Sequence, residues 1–205
     1  MKPMLYPIRQ ICEHPRIYEV DDFLNPQEVH EILMQSSDFA KIYRQGISTR
    51  HDMSGFSFEM PILNNPILLE IQNRLDKVVG YTNLVPNSMR YRSYDVGEYH
   101  GRHLDTYQIN GMTLVLTAFM TLTDVETGGE TAFPIAKPRP LTFPPKAGRL
   151  LLWYGHLRNG EVDQLSLHES LPVIQGIKKT LTYFYYQSLE YSKFDLTDSF
   201  DKAED

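Results

Sequence analysis

Residues 168–187 read HESLPVIQGIKKTLTYFYYQ, and the second half of this stretch decides the fold. After Lys178 it contains threonines and aromatic residues without Gly or Pro, a composition that favours a β-strand. Residues two apart on a strand share a face, so Thr180, Thr182 and Phe184 point the same way as Lys178. The stretch therefore predicts a long strand that carries a lysine on its inner face.

A similar β-favouring composition extends through the chain from Ser88 onward. Segments rich in β-branched and aromatic residues alternate with turn signals that contain Gly or Pro. Strands at this spacing indicate a two-sheet jelly roll or barrel. The further predicted strands are MRYRSYDV (89–96), TLVLTAFMTL (113–122), LTFPP (141–145) and RLLLWY (149–154).

Two amphipathic helices are predicted before Ser88. Asn25 can cap the first, and Glu28 completes a capping box, so this helix is expected over about 26–37. The second starts after Asn65 and stops at Gly80. Because each has one apolar face, we expect both helices to pack on one face of a sheet.

Length and composition fit one α+β domain that is mainly β. The 205 residues are 41% hydrophobic, and no segment reaches the ~20 apolar residues of a membrane span, so no membrane partner is expected. The expected parts are a helical N-terminal part at about 1–87, a jelly-roll core at about 88–190 and an acidic tail at 191–205.

Charge and cysteine usage narrow the function classes. A net charge of −6 argues against nucleic-acid binding, which depends on Lys and Arg. Cys12 is the only cysteine, so any metal must use His, Asp or Glu. The first ten residues, MKPMLYPIRQ, lack the apolar run of a secretory signal, and a cytoplasmic location is expected.

Residues 98–107, EYHGRHLDTY, contain the first pattern of metal ligands. On a strand, His103 and Asp105 would project from the same face. A second histidine would complete the two-histidine, one-carboxylate triad that binds Fe(II). His168 has the better setting, in an alternating segment, while His156 lies in a turn-like stretch. The pattern alone is weak, because surface or core histidines also produce it.

Lys178, ten residues after His168, makes the metal interpretation more specific. A buried ammonium needs an anionic partner, either a structural carboxylate or a bound acid. Together with the triad, a bound acid is the more economical interpretation. The neighbouring Lys179 is expected to face solvent.

Four segments in order carry a family resemblance, which covers about residues 88–187. The sequence resembles the prolyl 4-hydroxylase-like 2-oxoglutarate, Fe(II)-dependent dioxygenases in the segments YDVGEYHGRHLD (94–105), LTDVETGGETAFP (122–134), FPPKAGRLLLW (143–153) and LSLHESLPVIQGIKKT (165–180). This resemblance implies a double-stranded β-helix, which is a jelly roll.

The resemblance also implies cofactors and roles. His103, Asp105 and His168 would hold Fe2+, Lys178 would bind the distal carboxylate of 2-oxoglutarate, and Tyr94 would approach the same co-substrate. Oxygen would be the other co-substrate, and ascorbate a supporting reductant. The reaction would hydroxylate an unactivated C–H bond with release of succinate and CO2. The expected substrate is a prolyl residue of a peptide or protein, with a free amino acid or small metabolite as the alternative.

Three departures from the family pattern affect co-substrate and substrate contacts. The family often has a tyrosine in the strand where this chain reads Thr121-Leu122-Thr123-Asp124, and a tryptophan where it has Lys179. His100 replaces a tyrosine three residues before the first histidine. None of these changes removes a metal ligand.

Other residues have weaker functional interpretations. Arg102 flanks the triad, and Arg50 and His51 lie in a polar loop, so each is a candidate substrate contact. Gly128-Gly129-Glu130-Thr131 is interpreted as a turn that needs positive φ. Trp153 is expected to pack in the core or at the barrel mouth.

Two other classes of protein were compatible with parts of the pattern. A zinc hydrolase could use a His-Asp-His site with a bound water. A jelly-roll binding module could retain the fold without chemistry. Neither class requires Lys178 on the inner face, so the dioxygenase hypothesis explains more of the sequence.

Overall fold

The computed structural model describes residues 7–43, 54–80, 82, 83, 85 and 88–188. Its helices are α1 (Pro26–Tyr43) and α2 (Pro66–Val79). Neither is long and apolar enough to cross a membrane. The strands are β1 (Arg9–Glu13), β2 (Arg16–Val20), β3 (Phe56–Pro61), β4 (Ser88–Tyr94), β5 (His100–His103), β6 (Gln108–Ile109), β7 (Met112–Thr121), β8 (Thr127–Gly128), β9 (Thr131–Phe133), β10 (Leu141–Phe143), β11 (Leu150–Tyr154), β12 (His168–Ser170), β13 (Val173–Gln175) and β14 (Lys178–Ser188).

The described strands form two main antiparallel sheets. The major sheet has the order β1-β2-β11-β7-β14-β4-β3, with β6 paired to β7. The minor sheet has the order β10-β9-β12-β5, and β13 pairs with β8. This two-sheet arrangement, mostly β with two helices, confirms the predicted jelly roll.

Side-chain alternation on β11 shows how the layers stack. Leu150, Leu152 and Tyr154 join the large hydrophobic cluster that includes both helices. Leu151 and Trp153 point the other way, into a second cluster with residues of β9 and β10. The helices therefore cover one face of the major sheet, and the minor sheet covers the other.

Most helix boundaries lie where the sequence predicts them. In α1, the Glu28 backbone N–H donates to Asn25 Oδ1 at 2.9 Å, and the Asn25 N–H donates to the Glu28 carboxylate at 2.9 Å, so the capping box is present. Helix α2 ends at Gly80 with φ of 82°. Helix α1, however, runs to Tyr43 and not to about 37. The Ser36 hydroxyl bonds to the Leu33 carbonyl at 2.9 Å, so the polar run is accommodated within the helix.

The N-terminal part is not only helical, which corrects one expectation. Strands β1, β2 and β3 lie there, and all three join the major sheet. Strand β2 was not predicted as a buried strand because it contains charged residues. The Arg16 guanidinium lies 4.1 Å from the centre of the Tyr154 ring, and Glu19 pairs with Arg149 at 2.8 Å. These contacts let β2 lie buried in the sheet.

The glycine pair at the end of β8 has the positive φ that the sequence predicts. Gly128 and Gly129 have φ of 80° and 71°, a region that favours glycine. A Cβ at Gly128 would lie 2.5 Å from the Pro172 carbonyl oxygen. The structural interpretation of this motif is therefore confirmed.

Candidate active site

His103 and His168 lie directly opposite each other on neighbouring strands of the minor sheet. His103 ends β5 and His168 begins β12, and the two are register partners in the antiparallel pair. Their ring centroids are 4.2 Å apart. Two imidazoles that are 65 residues apart in sequence are thus held together by backbone pairing.

Asp105 completes the cluster from a position beyond the end of β5. Its Oδ1 lies 3.6 Å from His103 Nε2, and its Oδ2 lies 3.6 Å from His168 Nε2. The Thr117 hydroxyl on β7 donates to Asp105 Oδ2 at 2.7 Å and orients the carboxylate. The two residues converge as predicted, but the strand ends at His103, so strand alternation does not place Asp105.

The hydrogen bonds of both histidines leave Nε2 available to a metal. His103 Nδ1 donates to the Gly101 carbonyl at 2.8 Å, and His168 Nδ1 donates to the Ser166 carbonyl at 2.9 Å. A carbonyl can only accept, so each Nδ1 carries the proton and each Nε2 keeps its lone pair. Burial lowers the pKa of His168 to about 4, so it is neutral at pH 7.

The three residues form a donor set for a divalent metal. Their ligand atoms all lie within 4.8 Å of one another. Two imidazole nitrogens and one carboxylate on one side of a pocket match the triad that leaves positions open at Fe(II). Among the described residues, this is the group of His, Cys, Asp and Glu side chains that could hold a metal ion.

His156, the alternative third histidine, is held elsewhere. It is buried, and its carbonyl accepts a hydrogen bond from Arg16 at 2.8 Å. Burial, followed by the charge of Arg16, lowers its pKa. Within the described part of the chain, His156 is not a member of the metal-ligand cluster.

We expect His156→Ala to leave iron content unchanged. Loss of the buried imidazole should lower the free energy of unfolding by about 1–3 kcal/mol, because it leaves a cavity. Metal analysis of the purified variant at a temperature well below its unfolding transition checks the first point. Loss of iron in His156→Ala, with iron retained in His168→Ala, would instead make His156 the third metal ligand.

Lys178 lies on the inner face of β14, where the sequence predicts it. Its side chain is 1% exposed, and its Nζ donates to the Ser170 and Thr131 hydroxyls at 2.6 and 3.2 Å. Within the described residues no carboxylate forms a salt bridge with it. Burial lowers its pKa to about 7, partly opposed by Glu130. A bound anion would offset this desolvation, which favours the bound-acid interpretation.

Tyr94 lies next to this lysine. It is the register partner of Lys178 on β4, and its ring centre is 5.7 Å from Lys178 Nζ. Its own pKa is raised by burial. Ser170 and Thr131, the hydroxyl partners of Lys178, line the same pocket as the triad and Tyr94. The hydroxyl groups that contact the lysine therefore line the same pocket as the metal ligands.

The lysine pKa predicts how 2-oxoglutarate affinity depends on pH. A dianion binds the ammonium form, which is lost as pH rises through about 7 in the free protein. We expect affinity to fall roughly fivefold between pH 7 and pH 8, in proportion to the protonated fraction. Anaerobic titration of the Fe(II) protein at both pH values checks this. A flat profile in wild type, or the same slope in Lys178→Ala, would contradict it.

The remaining predicted site residues occupy different positions. Arg102 is exposed and donates to Glu169 at 3.2 Å, at the edge of the minor sheet. Arg50 and His51 lie outside the described residues, so their substrate contacts stay predictions. Trp153 is buried, with its ring centre 4.8 Å from that of His168, which confirms its packing role.

Several pocket residues were not predicted as site residues. Thr117 orients the carboxylate, and Ser170 and Thr131 hold the lysine. Ser170 lies two residues after His168 in the same strand, a spacing that could have indicated it. Arg92 on β4 also lines the pocket, and no spacing pattern in the sequence connects it to the triad.

The family pattern of the 2OG-Fe(II) oxygenase superfamily matches residues 89–186, which include the triad, Tyr94 and Lys178. The match covers 98 of the 205 residues, just under half of the chain, and over that region the chain resembles this superfamily. The match and the prolyl 4-hydroxylase relatives described below support a prolyl 4-hydroxylase-like oxygenase, an enzyme of the dioxygenase class. The matched family implies Fe2+ and 2-oxoglutarate as cofactor and co-substrate.

Curated relatives are similar at low identity. Prolyl 4-hydroxylase 13 of Arabidopsis thaliana is 23% identical over 199 residues, 86% of this chain and 73% of that protein. Prolyl 4-hydroxylase subunit alpha-2 of Gallus gallus is 26% identical over 132 residues, 60% of this chain. The matched region spans only 24% of the chicken subunit.

Solved structures share the fold. The 2-oxoglutarate complex of the viral collagen prolyl hydroxylase from Paramecium bursaria Chlorella virus-1 has a TM-score of 0.68 at 18% identity, covering 87% of this chain and 99% of that one. A Trichoplax adhaerens prolyl hydroxylase, in complex with a hypoxia-inducible-factor peptide fragment, has a TM-score of 0.63 at 16% identity and covers 86% and 85% of the two chains.

Proposed function

We propose that this enzyme hydroxylates an unactivated C–H bond of a prolyl residue in a peptide or protein, and converts 2-oxoglutarate to succinate and CO2. The observation that carries the proposal is that the His103, Asp105, His168 cluster shares a pocket with the hydroxyl groups that contact a buried lysine. A hydrolase would need the metal site alone. The lysine adds a place for a dicarboxylate.

In this proposal, His103, Asp105 and His168 hold Fe2+. The donor set fits the ion because two Nε2 lone pairs and a hydrogen-bonded carboxylate converge. Bound Fe2+ supplies the oxidative chemistry with oxygen and 2-oxoglutarate. The chain positions the ligands: Gly101 and Ser166 fix the imidazole tautomers.

The co-substrate end of the proposal rests on Lys178 and Tyr94. The ammonium would pair with the distal carboxylate of 2-oxoglutarate, and the hydroxyls of Ser170 and Thr131 would orient both groups. Tyr94 would close the wall beside the same carboxylate. Because this end of the pocket is buried, water is kept away from the charged pair.

Support for a prolyl substrate comes from relatives that are named prolyl 4-hydroxylases and from a structural neighbour bound to a peptide. A free amino acid or small peptide-like metabolite remains the alternative within the same chemistry. The substrate panel described below distinguishes them.

The experiment is a substrate panel read by mass spectrometry. Proline-containing peptides, free amino acids and buffer alone are incubated with Fe(II), 2-oxoglutarate and oxygen. The expected result is a gain of one oxygen in a proline-containing substrate with one equivalent of succinate. Metal-dependent hydrolysis of a panel compound without 2-oxoglutarate would refute the proposed chemistry. So would the absence of 2-oxoglutarate binding and turnover.

The proposal includes ascorbate as the supporting reductant. Ascorbate would support turnover by keeping iron reduced, and its omission should shorten the time over which the enzyme stays active.

A cytoplasmic location is also proposed, and it fits a chain whose single cysteine allows no internal disulfide. Fractionation of cells that express the tagged chain tests the location.

A further inference from the structure

The inner face of β4 carries a row of polar side chains toward the pocket mouth. Arg90, Arg92 and Tyr94 alternate along the strand, and all three line the pocket. Their register partners on β14 are Thr182, Thr180 and Lys178. Tyr94 and Lys178 are buried, whereas Arg92 is half-buried. A second cationic position therefore lies on the solvent side of the lysine.

Arg90 and Arg92 differ in their contacts. Arg90 forms a salt bridge with Glu59 at 2.6 Å. Arg92 Nη1 lies 2.9 Å from His100 Nδ1 and 3.3 Å from the Tyr94 hydroxyl. Arg92 thus bonds to pocket side chains, while Arg90 bonds to the outer strand β3.

The contact between Arg92 and His100 fixes the tautomer of the histidine. A guanidinium can only donate, so His100 Nδ1 accepts and Nε2 carries the proton. The His100 ring stacks on that of His103, with centroids 3.8 Å apart and planes 25° apart. Arg92 is therefore separated from a metal-ligand histidine by one stacked ring.

Arg92 and His100 consequently line the pocket together next to the triad, and they supply two kinds of N–H group. One is a permanently charged guanidinium, and the other is an imidazole N–H. A carboxylate accepts strong hydrogen bonds from the charged guanidinium, which His100 holds at the pocket wall. A neutral amide offers a single acceptor oxygen and no charge.

We propose that Arg92, with His100, recognises a carboxylate of the substrate, so that the enzyme acts on a carbon close to an acidic group. This inference rests on the proposed function and names its substrate class. Three sources share the chemistry: the α-carboxylate of a free amino acid, the C-terminal carboxylate of a peptide, and an acidic side chain beside the reacting residue.

The test compares acids with matched neutral ligands. The pairs are L-proline and L-prolinamide, a short peptide ending in proline as acid or amide, and a peptide with internal proline beside Glu or Gln. Binding to the anaerobic Fe(II), 2-oxoglutarate protein is followed by fluorescence of Trp153, the single tryptophan, which lines the pocket. Stimulated consumption of 2-oxoglutarate is the second readout.

We expect at least one acid to bind about tenfold to a hundredfold tighter than its neutral partner. The pair that shows the difference identifies the source. In Arg92→Gln the acid should bind as weakly as the amide, with amide affinity and 2-oxoglutarate affinity unchanged. Arg92→Lys should recover part of the preference. Arg139→Gln, an exposed arginine outside the pocket, should behave as wild type.

Several outcomes would overturn the proposal. These are binding of no acid in the panel, equal binding of every acid and its neutral partner, or an acid preference that survives in Arg92→Gln. A loss of 2-oxoglutarate affinity in Arg92→Gln would also overturn it, by assigning Arg92 to the co-substrate. If wild type binds no 2-oxoglutarate, the proposed function fails. The fluorescence comparison of each acid with its neutral partner still tests the role of Arg92.

Discussion

Replacing His103 or His168 by alanine is expected to abolish hydroxylation while the chain stays folded. Two remaining ligands hold Fe(II) poorly, and since loss of a hydrogen bond behind a ligand alone costs roughly 10–100-fold in metal affinity, loss of a ligand should cost more. Both side chains face the pocket and lie outside the large hydrophobic cluster. Metal analysis, 2-oxoglutarate consumption and circular dichroism together check the result.

Asp105→Glu should fail for a geometric reason. The added methylene moves the carboxylate by more than the ~0.2 Å tolerance of a metal site and displaces it from the Thr117 hydroxyl. His156→Ala is the matched control, because it removes a buried histidine outside the cluster. If His103→Ala, His168→Ala or Asp105→Glu turns over as fast as wild type at saturating iron, the substituted residue is not a metal ligand.

The parts of the fold that follow local rules could be predicted from the sequence. The capping box at Asn25 and Glu28 and the glycine stop at Gly80 each involve groups within a few residues. Strand β14 was predicted with its inner and outer faces, because alternation is also local. Alternation does not place Asp105, because β5 ends at His103, and in β14 an irregularity between Tyr185 and Tyr186 shifts the register against β7.

Strands β1 and β2 could not be predicted in the same way. Strand β1 pairs with β2, and β2 joins the sheet by pairing with β11, more than 100 residues later in the chain. Arg16 and Glu19 look like surface residues until their partners Tyr154 and Arg149 are known. Charged residues in a buried strand are compatible with the fold only through such distant contacts.

The candidate site shows the same division. His103 and Asp105 are two residues apart, and Lys178 was identified by its strand parity. Thr117 and Arg92 lie on other strands, and their roles depend on the order β7-β14-β4 in the sheet. A sequence pattern records which residue types the chemistry needs. The residues that orient them are fixed by sheet pairing, which one sequence does not display.

Lys178→Ala is expected to weaken 2-oxoglutarate binding by about one to two orders of magnitude. The charge-assisted contact to a carboxylate is worth roughly 1.5–3 kcal/mol, and each 1.4 kcal/mol corresponds to about tenfold in affinity. Iron binding should survive, because Lys178 bonds to Ser170 and Thr131 and not to the triad. The measurement is a titration of 2-oxoglutarate into the anaerobic Fe(II) protein, followed by the metal-to-ligand absorption band.

Lys179→Ala provides the matched control, since the two lysines are adjacent on one strand and point to opposite faces. The Lys179 side chain lies in a groove beside Ile177 and Asp95, and its backbone contacts with Thr123 and Leu122 persist in the variant. Its affinity for 2-oxoglutarate should be close to that of wild type. Lys178→Arg should bind better than Lys178→Ala, because a guanidinium also pairs with carboxylates, although its planar fork is larger than the ammonium that Ser170 and Thr131 contact. If Lys178 were only structural, Lys178→Ala would lower the stability of the protein and leave its affinity for 2-oxoglutarate unchanged. Equal affinities in wild type and Lys178→Ala, or a larger loss of affinity in Lys179→Ala, would therefore refute the co-substrate role.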